Sequence, residues 1–108
     1  MVDARGGNDL VIVLKGNPNT VTTVCGGSGH DLIIGNKGRD IMIGGPGNDI
    51  LLGKDGNDLL LGGEGHDILL GQKGHDDLNG GPGNDRCNGG QGNNTIINCE
   101  GIANDPDN

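Results

Sequence analysis

The sequence predicts an all-β fold, in which short strands separated by glycine-rich turns stack into a solenoid. Three observations predict it: a nine-residue period over most of the chain, 25 glycines among 108 residues, and the complete lack of Phe, Tyr and Trp. Glycine permits tight turns and left-handed backbone, and a core without aromatic rings must be thin. The length allows one domain. Because this composition without its order would suggest a disordered linker, the fold prediction depends on the period.

Rows of nine residues starting at Gly26 contain eight consecutive repeats that end at Ile97. Gly fills the first and fourth positions throughout, and Asp fills the sixth position in seven repeats. The eight repeats read GGSGHDLII, GNKGRDIMI, GGPGNDILL, GKDGNDLLL, GGEGHDILL, GQKGHDDLN, GGPGNDRCN and GGQGNNTII. Regular repetition of this kind is typical of solenoids, whose stacked turns place like residues above like residues at about 4.8 Å.

This pattern, G-G-x-G-x-D-x-U-x, resembles the RTX (hemolysin-type calcium-binding repeat) family, and the resemblance covers about two thirds of the chain. It implies a right-handed parallel β-roll in which six residues of each repeat form a turn and three form a strand. Two repeats would complete one coil, so odd and even repeats would have their aspartates at opposite edges. The odd edge would carry Asp31, Asp49, Asp67 and Asp85, and the even edge Asp40, Asp58, Asp76 and Asn94.

Such rows of carboxylates require a cation, because each neighbouring pair repels by roughly 1 kcal/mol even in water. Ca²⁺ takes six to eight carboxylate and carbonyl oxygens in flexible geometry, whereas Mg²⁺ requires a tight octahedron and Zn²⁺ favours His and Cys. The resemblance implies that the turns supply the carbonyl oxygens, and the candidate ligands are the first-position glycines Gly26, Gly35, Gly44, Gly53, Gly62, Gly71, Gly80 and Gly89. The alternative is that the aspartates only cap turns, but turns do not need seven in strict phase.

About five to seven calcium ions are expected. Five would lie between successive aspartates of one edge, and a weaker sixth between Asp76 and Asn94. A seventh would use Asp9, because Gly7-Asn8-Asp9 resembles positions four to six of a repeat. Since the apolar core is too thin to order so many residues, we expect the calcium-free chain to be largely unfolded and calcium to drive its folding.

Both ends depart from the period. Residues 1–25 predict irregular capping strands at 10–14 and 21–24 around a turn at 15–19, residues 26–97 form the roll, and residues 98–108 form a cap or tail. Cys87 and Cys99 resemble the closing segment of some secreted family members, which implies a disulfide; two reduced buried thiols are the alternative. Cys25 is left either as an inert packed thiol or as an intermolecular partner.

The strand positions also predict an exposed aliphatic surface. If position eight points inward, positions seven and nine point outward, and in the first five repeats these are all aliphatic: Leu32, Ile34, Ile41, Ile43, Ile50, Leu52, Leu59, Leu61, Ile68 and Leu70. Because water-exposed patches of this breadth are rare in monomers, we expect another copy or another protein to cover at least one face. The alternatives are that the two orientations are reversed or that the first coil covers a face.

Several classes of function are disfavoured by composition. The net charge of −8 opposes nucleic-acid binding, and no apolar run reaches the roughly 18 residues of a membrane span. His30, His66 and His75 occupy the variable fifth position and are expected to be solvated turn residues, and no catalytic motif is present. The chain is therefore not expected to be an enzyme.

These features favour an extracellular calcium-binding structural protein that self-associates through end coils and aliphatic sheet faces into fibres. Only eleven residues follow the last repeat, too few for the long export signal typical of the family. Head-to-tail stacking of a solenoid gives contacts that need not close, and filaments result. The alternative is an adhesion or binding module, or a fragment that assists the folding of a larger secreted enzyme or toxin. Ice binding is disfavoured because Leu and Ile stand where a threonine row would be needed.

Overall fold

The computed structural model describes residues 2–3, 5–12 and 21–103, and every regular element in these ranges is a β-strand. This confirms the all-β prediction. The strands are β1 (Val2–Asp3), β2 (Leu10–Ile12), β3 (Val21–Cys25), β4 (Leu32–Ile34), β5 (Arg39–Ile43), β6 (Ile50–Leu52), β7 (Leu59–Leu61), β8 (Ile68–Leu70), β9 (Asp77–Asn79), β10 (Arg86–Asn88), β11 (Thr95–Ile97) and β12 (Gly101–Ala103).

The strands form two parallel sheets, and in each sheet neighbouring strands follow the order of the sequence. The first sheet has the order β1-β3-β5-β7-β9-β11 and the second the order β2-β4-β6-β8-β10-β12. Within the roll, paired residues are 18 apart, as in Ile33 with Leu51 and Met42 with Leu60. Two nine-residue repeats therefore complete one coil, and the parallel β-roll expected from the repeat is confirmed.

The core is a double row of single side chains between the sheets. The buried set has one residue from each of β3 to β10: Val24, Ile33, Met42, Leu51, Leu60, Leu69, Leu78 and Cys87. Seven of these eight occupy position eight of a repeat, because side chains alternate along a strand. The inward orientation of position eight is confirmed, and the reversed orientation is wrong.

The described part of the N-terminal segment continues the sheets. β2 pairs with β4, β3 pairs with β5, and β1 pairs with β3, all in parallel register. These strands therefore extend the roll by further coils and do not fold over a sheet face. The turn predicted at 15–19 lies outside the described residues.

The C-terminal segment closes the second sheet with a shortened coil. β12 pairs with β10 through the partners Arg86 with Gly101 and Cys87 with Ile102, which are only 15 residues apart. A disulfide joins Cys87 to Cys99, with their Cα atoms 6.0 Å apart. Cys25 is a free, half-buried cysteine.

Candidate metal centre

Seven aspartates stand in two buried rows along the edges of the roll. Six of them lie directly before a strand, and Asp40 is the second residue of β5. We call Asp31, Asp49, Asp67 and Asp85 the odd ladder, and Asp40, Asp58 and Asp76 the even ladder. All seven side chains are at most 3% exposed, which is unusual for carboxylates because burial of a charge requires a partner.

In every ladder aspartate except Asp40, Oδ1 accepts a backbone N–H of the preceding coil. The N–H of Asp31 donates to Oδ1 of Asp49 at 2.9 Å, and the N–H of Asp49 donates to Oδ1 of Asp67 at 2.8 Å. The same bond joins Asp67 to Asp85 and, in the even ladder, Asp40 to Asp58 and Asp58 to Asp76. These bonds fix the orientation of each carboxylate and leave its second oxygen free to face the turn.

The second oxygen is buried without a hydrogen-bond partner in almost every case. Among the described residues, the orphaned atoms are Oδ2 of Asp9, Asp31, Asp49, Asp58, Asp67, Asp76 and Asp85. Asp40 differs because its Oδ2 accepts from the N–H of Asn36 at 3.1 Å. An unpaired buried oxygen costs free energy, and a repeated one therefore indicates a missing positive partner.

The orphaned oxygens of Asp31, Asp49, Asp58, Asp67 and Asp85 each lie beside a first-position glycine and a main-chain carbonyl of the next coil. A Cβ added to Gly44 would lie 2.5 Å from Oδ2 of Asp49 and 2.7 Å from the carbonyl oxygen of Gly62 on the next coil. We call this space, between the position-six Oδ2 and the first-position carbonyl of the next coil, a cradle. The same arrangement recurs at five other glycines. An added Cβ would lie 2.5–2.7 Å from Oδ2 and 2.5–3.0 Å from the carbonyl oxygen at Gly26, Gly35, Gly53, Gly62 and Gly80.

The cradles suit calcium by chemistry, because carboxylate plus main-chain carbonyl is the ligand set that calcium prefers. The carbonyls come from Gly44, Gly53, Gly62 and Gly80, with Gly71 in the same role for the cradle of Asp58. No cluster of three or more His, Cys, Asp and Glu side chains lies close enough to hold a metal within the described ranges.

Burial dominates the titration of the ladders. It raises the pKa of Asp49 to about 6, of Asp67 and Asp76 to about 7, and of Asp58 to about 8. The backbone N–H bonds oppose this shift, but neighbouring carboxylates in the ladders add to it for Asp49, Asp58 and Asp67. The pKa values of Asp31, Asp40 and Asp85 are also raised by burial. Without a cation, ionisation of these carboxyl groups is therefore less favourable than it is in water.

The ends of the ladders differ from the middle. Asp9 joins the odd ladder as predicted, since its N–H donates to Oδ1 of Asp31 at 2.9 Å and its own Oδ2 is orphaned. Asn94 ends the even ladder by accepting the N–H of Asp76. However, its Nδ2 donates to the carbonyls of Gly90 and Gly92, so an N–H group stands where the aspartates have a free oxygen. The weaker site expected between Asp76 and Asn94 stays a prediction.

Glu100 is the residue that sequence reasoning missed. Its Oε1 accepts the N–H of Asp85 at 3.0 Å and so ends the odd ladder. It lies 15 residues after Asp85, outside the period, and the only signal in the sequence was an acidic residue next to Cys99.

The histidines take part in a separate set of turn contacts. The N–H of Asn48 donates to Nδ1 of His30, and the N–H of Asn84 donates to Nδ1 of His66. In both cases the donor lies 18 residues, or one coil, after the histidine. Their side chains are exposed, as expected for position five. They are ordered acceptors that tie successive turns together, and they do not converge on the cradles.

The outward strand positions form two aliphatic surfaces. On the second sheet, six such residues lie on three adjacent strands: Leu32, Ile34, Ile50, Leu52, Ile68 and Leu70. Ile50 and Ile68 are 39% and 37% exposed. We call these six residues the aliphatic face. The strip on the first sheet is shorter, since Asp77 and Asn79 follow Leu59 and Leu61 in its register.

The comparisons with known proteins agree with this geometry. A family model for the RTX calcium-binding nonapeptide repeat, four copies long, matches residues 26–60 and again residues 61–96. Neither the search of curated proteins nor that of solved structures gave a match. No helix in the described part of the chain is long and apolar enough to cross a membrane.

Proposed function

Because the chain belongs to the RTX calcium-binding nonapeptide repeat family, and is thus a calcium-binding structural module, we propose that it acts outside the cell as a structural protein that calcium folds. The observation that carries this proposal is the row of buried, orphaned Oδ2 atoms beside the cradles. Calcium would supply positive charge there and join the carboxylate of one coil to the carbonyl of the next. The Cys87–Cys99 disulfide supports an oxidising compartment.

The proposed ligands are Oδ2 of the position-six aspartates and the first-position carbonyls of the following coil. Each gap between neighbouring aspartates of a ladder would hold one ion. With Asp9 included, the odd ladder has four such gaps and the even ladder has two, giving six ions. Because of its amide, Asn94 adds no full site. Gly26 would serve the gap after Asp9, while Gly35 and Gly89 remain sequence predictions.

Calcium affinity should depend steeply on pH. In the unfolded chain these carboxyl groups titrate near pH 4. Since their folded pKa values are higher, about 6 for Asp49 and about 8 for Asp58, protonation stabilises the calcium-free fold fully below about pH 4. This stabilisation is lost as pH rises through 6 to 8. Calcium needs the deprotonated form, so protons compete with it over the same interval.

We therefore expect the calcium concentration at half-saturation to rise at least tenfold between pH 8 and pH 6. Binding should release protons, which calorimetry measures by repeating the titration in buffers of different ionisation enthalpy. A half-saturation point that stays constant across this range, with no proton release, contradicts the proposed ligands.

Self-association is the second part of the proposed function. The aliphatic face carries six aliphatic side chains and no charge on β4, β6 and β8, and a patch of this kind is typically covered by a partner. A second copy fits because the face is uniform and its residues repeat with the coil, so two copies can pack face to face in register. End-to-end contacts between coils would then extend the assembly into fibres.

Placing charges on the aliphatic face should weaken assembly without unfolding the roll. Ile50→Lys with Ile68→Glu introduces two opposite charges at paired outward positions, which tolerate each other on neighbouring strands. We expect fibres for the native chain in electron micrographs and an association constant at least tenfold lower for the variant by sedimentation.

The matched control places the same charges in turns. Pro82→Lys with Gln91→Glu changes two exposed position-three residues, where other repeats already have Lys37, Glu64 and Lys73. This control should assemble like the native chain. Dispersed monomers of the native chain in calcium would overturn the structural role and leave a binding module or a folding-assisting fragment.

A further inference from the structure

The odd ladder does not end with the nine-residue repeats. β12 pairs with β10 so that Gly101 lies beside Arg86, and the N–H groups of Glu100 and Gly101 both donate to the carbonyl of Asp85. In regular coils, the carbonyl of each ladder aspartate accepts the N–H of the residue that follows the next aspartate of that ladder. The N–H of Ile50, for example, donates to the carbonyl of Asp31. Glu100 therefore holds the place of the next aspartate in a turn that is three residues shorter.

A cradle is present at this end too. A Cβ on Gly80 would lie 2.6 Å from Oδ2 of Asp85 and 2.5 Å from the carbonyl oxygen of Asn98. Asn98 is nine residues after Gly89, at the first position of a ninth repeat, and has a positive φ of 56°. It supplies the carbonyl that a first-position glycine supplies elsewhere. Beyond Asn98 the chain leaves the period.

The oxygen that faces this cradle has no partner. Asp85 is 1% exposed and its Oδ2 makes no hydrogen bond, so its burial costs free energy unless a cation is bound. Glu100 provides the negative charge that the next aspartate of the ladder provides in the regular coils. Its side chain is one methylene longer than that of Asp, which suits a shortened turn. Asn98 and Glu100 both lie beyond the residues that the family model matches.

We propose that Asp85, Asn98 and Glu100 form a terminal calcium site outside the repeats, and that the Cys87–Cys99 disulfide positions it. This inference rests on the proposed calcium function. The ligands would be Oδ2 of Asp85, the carbonyl oxygen of Asn98 and the carboxylate of Glu100. Cys99 stands between two of these residues, and its bond to Cys87, a buried core residue, holds the short turn against the last coil. Glu100 is exposed, so this ion is expected to be the most readily exchanged of the odd ladder.

Glu100→Gln separates a metal ligand from a simple cap. The glutamine retains an oxygen that can accept the N–H of Asp85, but it lacks the charge. We expect native mass spectrometry in calcium to count one ion fewer than in the native chain, with an unchanged circular dichroism spectrum. The control is Glu64→Gln, which removes the same charge from an exposed turn residue and should keep every ion.

The disulfide is tested by Cys87→Ser with Cys99→Ser. We expect the remaining ions to stay and the affinity of the terminal ion to fall at least tenfold. A full ion count with unchanged affinities in Glu100→Gln would show that Glu100 is only a cap and overturn the terminal site. The same result in the double cysteine variant would overturn the positioning role of the disulfide. A native chain that binds no calcium would instead defeat the proposed function as a whole.

Discussion

Excess chelator at neutral pH is expected to convert the chain to a largely unfolded polypeptide, and added calcium is expected to restore its β-structure. The core is one buried side chain from each of β3 to β10, and these eight are aliphatic or sulfur-containing. This row must order a chain with 25 glycines, whose backbone loses the most freedom on folding. In addition, seven buried carboxylates remain, and their ionisation at neutral pH opposes the fold unless a cation is present.

Far-ultraviolet circular dichroism during a calcium titration measures this transition. Magnesium at the same concentration, and potassium chloride at matched ionic strength, are the controls. Neither should restore the spectrum, because magnesium requires a tight octahedron and a monovalent salt only screens charge. A spectrum of a folded chain that chelator leaves unchanged would contradict calcium-driven folding.

Gly47→Ala is expected to destabilise the calcium-bound roll by about 2–6 kcal/mol. Gly47 has φ of 117°, a conformation that costs other residues about 1–3 kcal/mol. An added Cβ would also overlap the carbonyl group of Gly29 on the neighbouring coil. Because the coils are tied to each other by hydrogen bonds at the strand spacing, the overlap must open the stack, at a further cost of about 1–3 kcal/mol.

Gly7→Ala is the matched control for this substitution. Gly7 also has a positive φ, 96°, but an added Cβ meets nothing within 4 Å. It should cost only the backbone strain, about 1–3 kcal/mol. Urea denaturation of both variants in saturating calcium gives the two free energies of unfolding. Equal losses would show that coil spacing places no demand on the fourth-position glycine.

The period, together with the family resemblance that implies two repeats per coil, was enough to predict the roll and the ladders. Strict phase placed Asp31 above Asp49 and Ile33 above Leu51, and parallel pairing of residues 18 apart follows once two repeats make a coil. The inward row at position eight follows from strand alternation. Asp9 could be identified because Gly7-Asn8-Asp9, directly before β2, matches positions four to six of a repeat.

Other features depend on atomic positions that a sequence pattern does not carry. The glycines were expected to serve turn conformation, and position four does so. At Gly44 and its equivalents the φ is ordinary, and the lack of a side chain instead leaves room for the cradle. Glu100 escaped prediction because a three-residue deletion removes it from the period, and only strand pairing shows that it stands in line with Asp85. The orientation of the Asn94 amide likewise depends on neighbouring carbonyls.

A crystal structure of the chain grown in calcium, with anomalous difference density collected at long wavelength, tests the role of the ladders most directly. Metal density is expected in each cradle, within bonding distance of the position-six Oδ2 and of the carbonyl on the next coil, as between Asp49 and Gly62. A chain that keeps the same coils in calcium while its cradles contain only water would contradict the account.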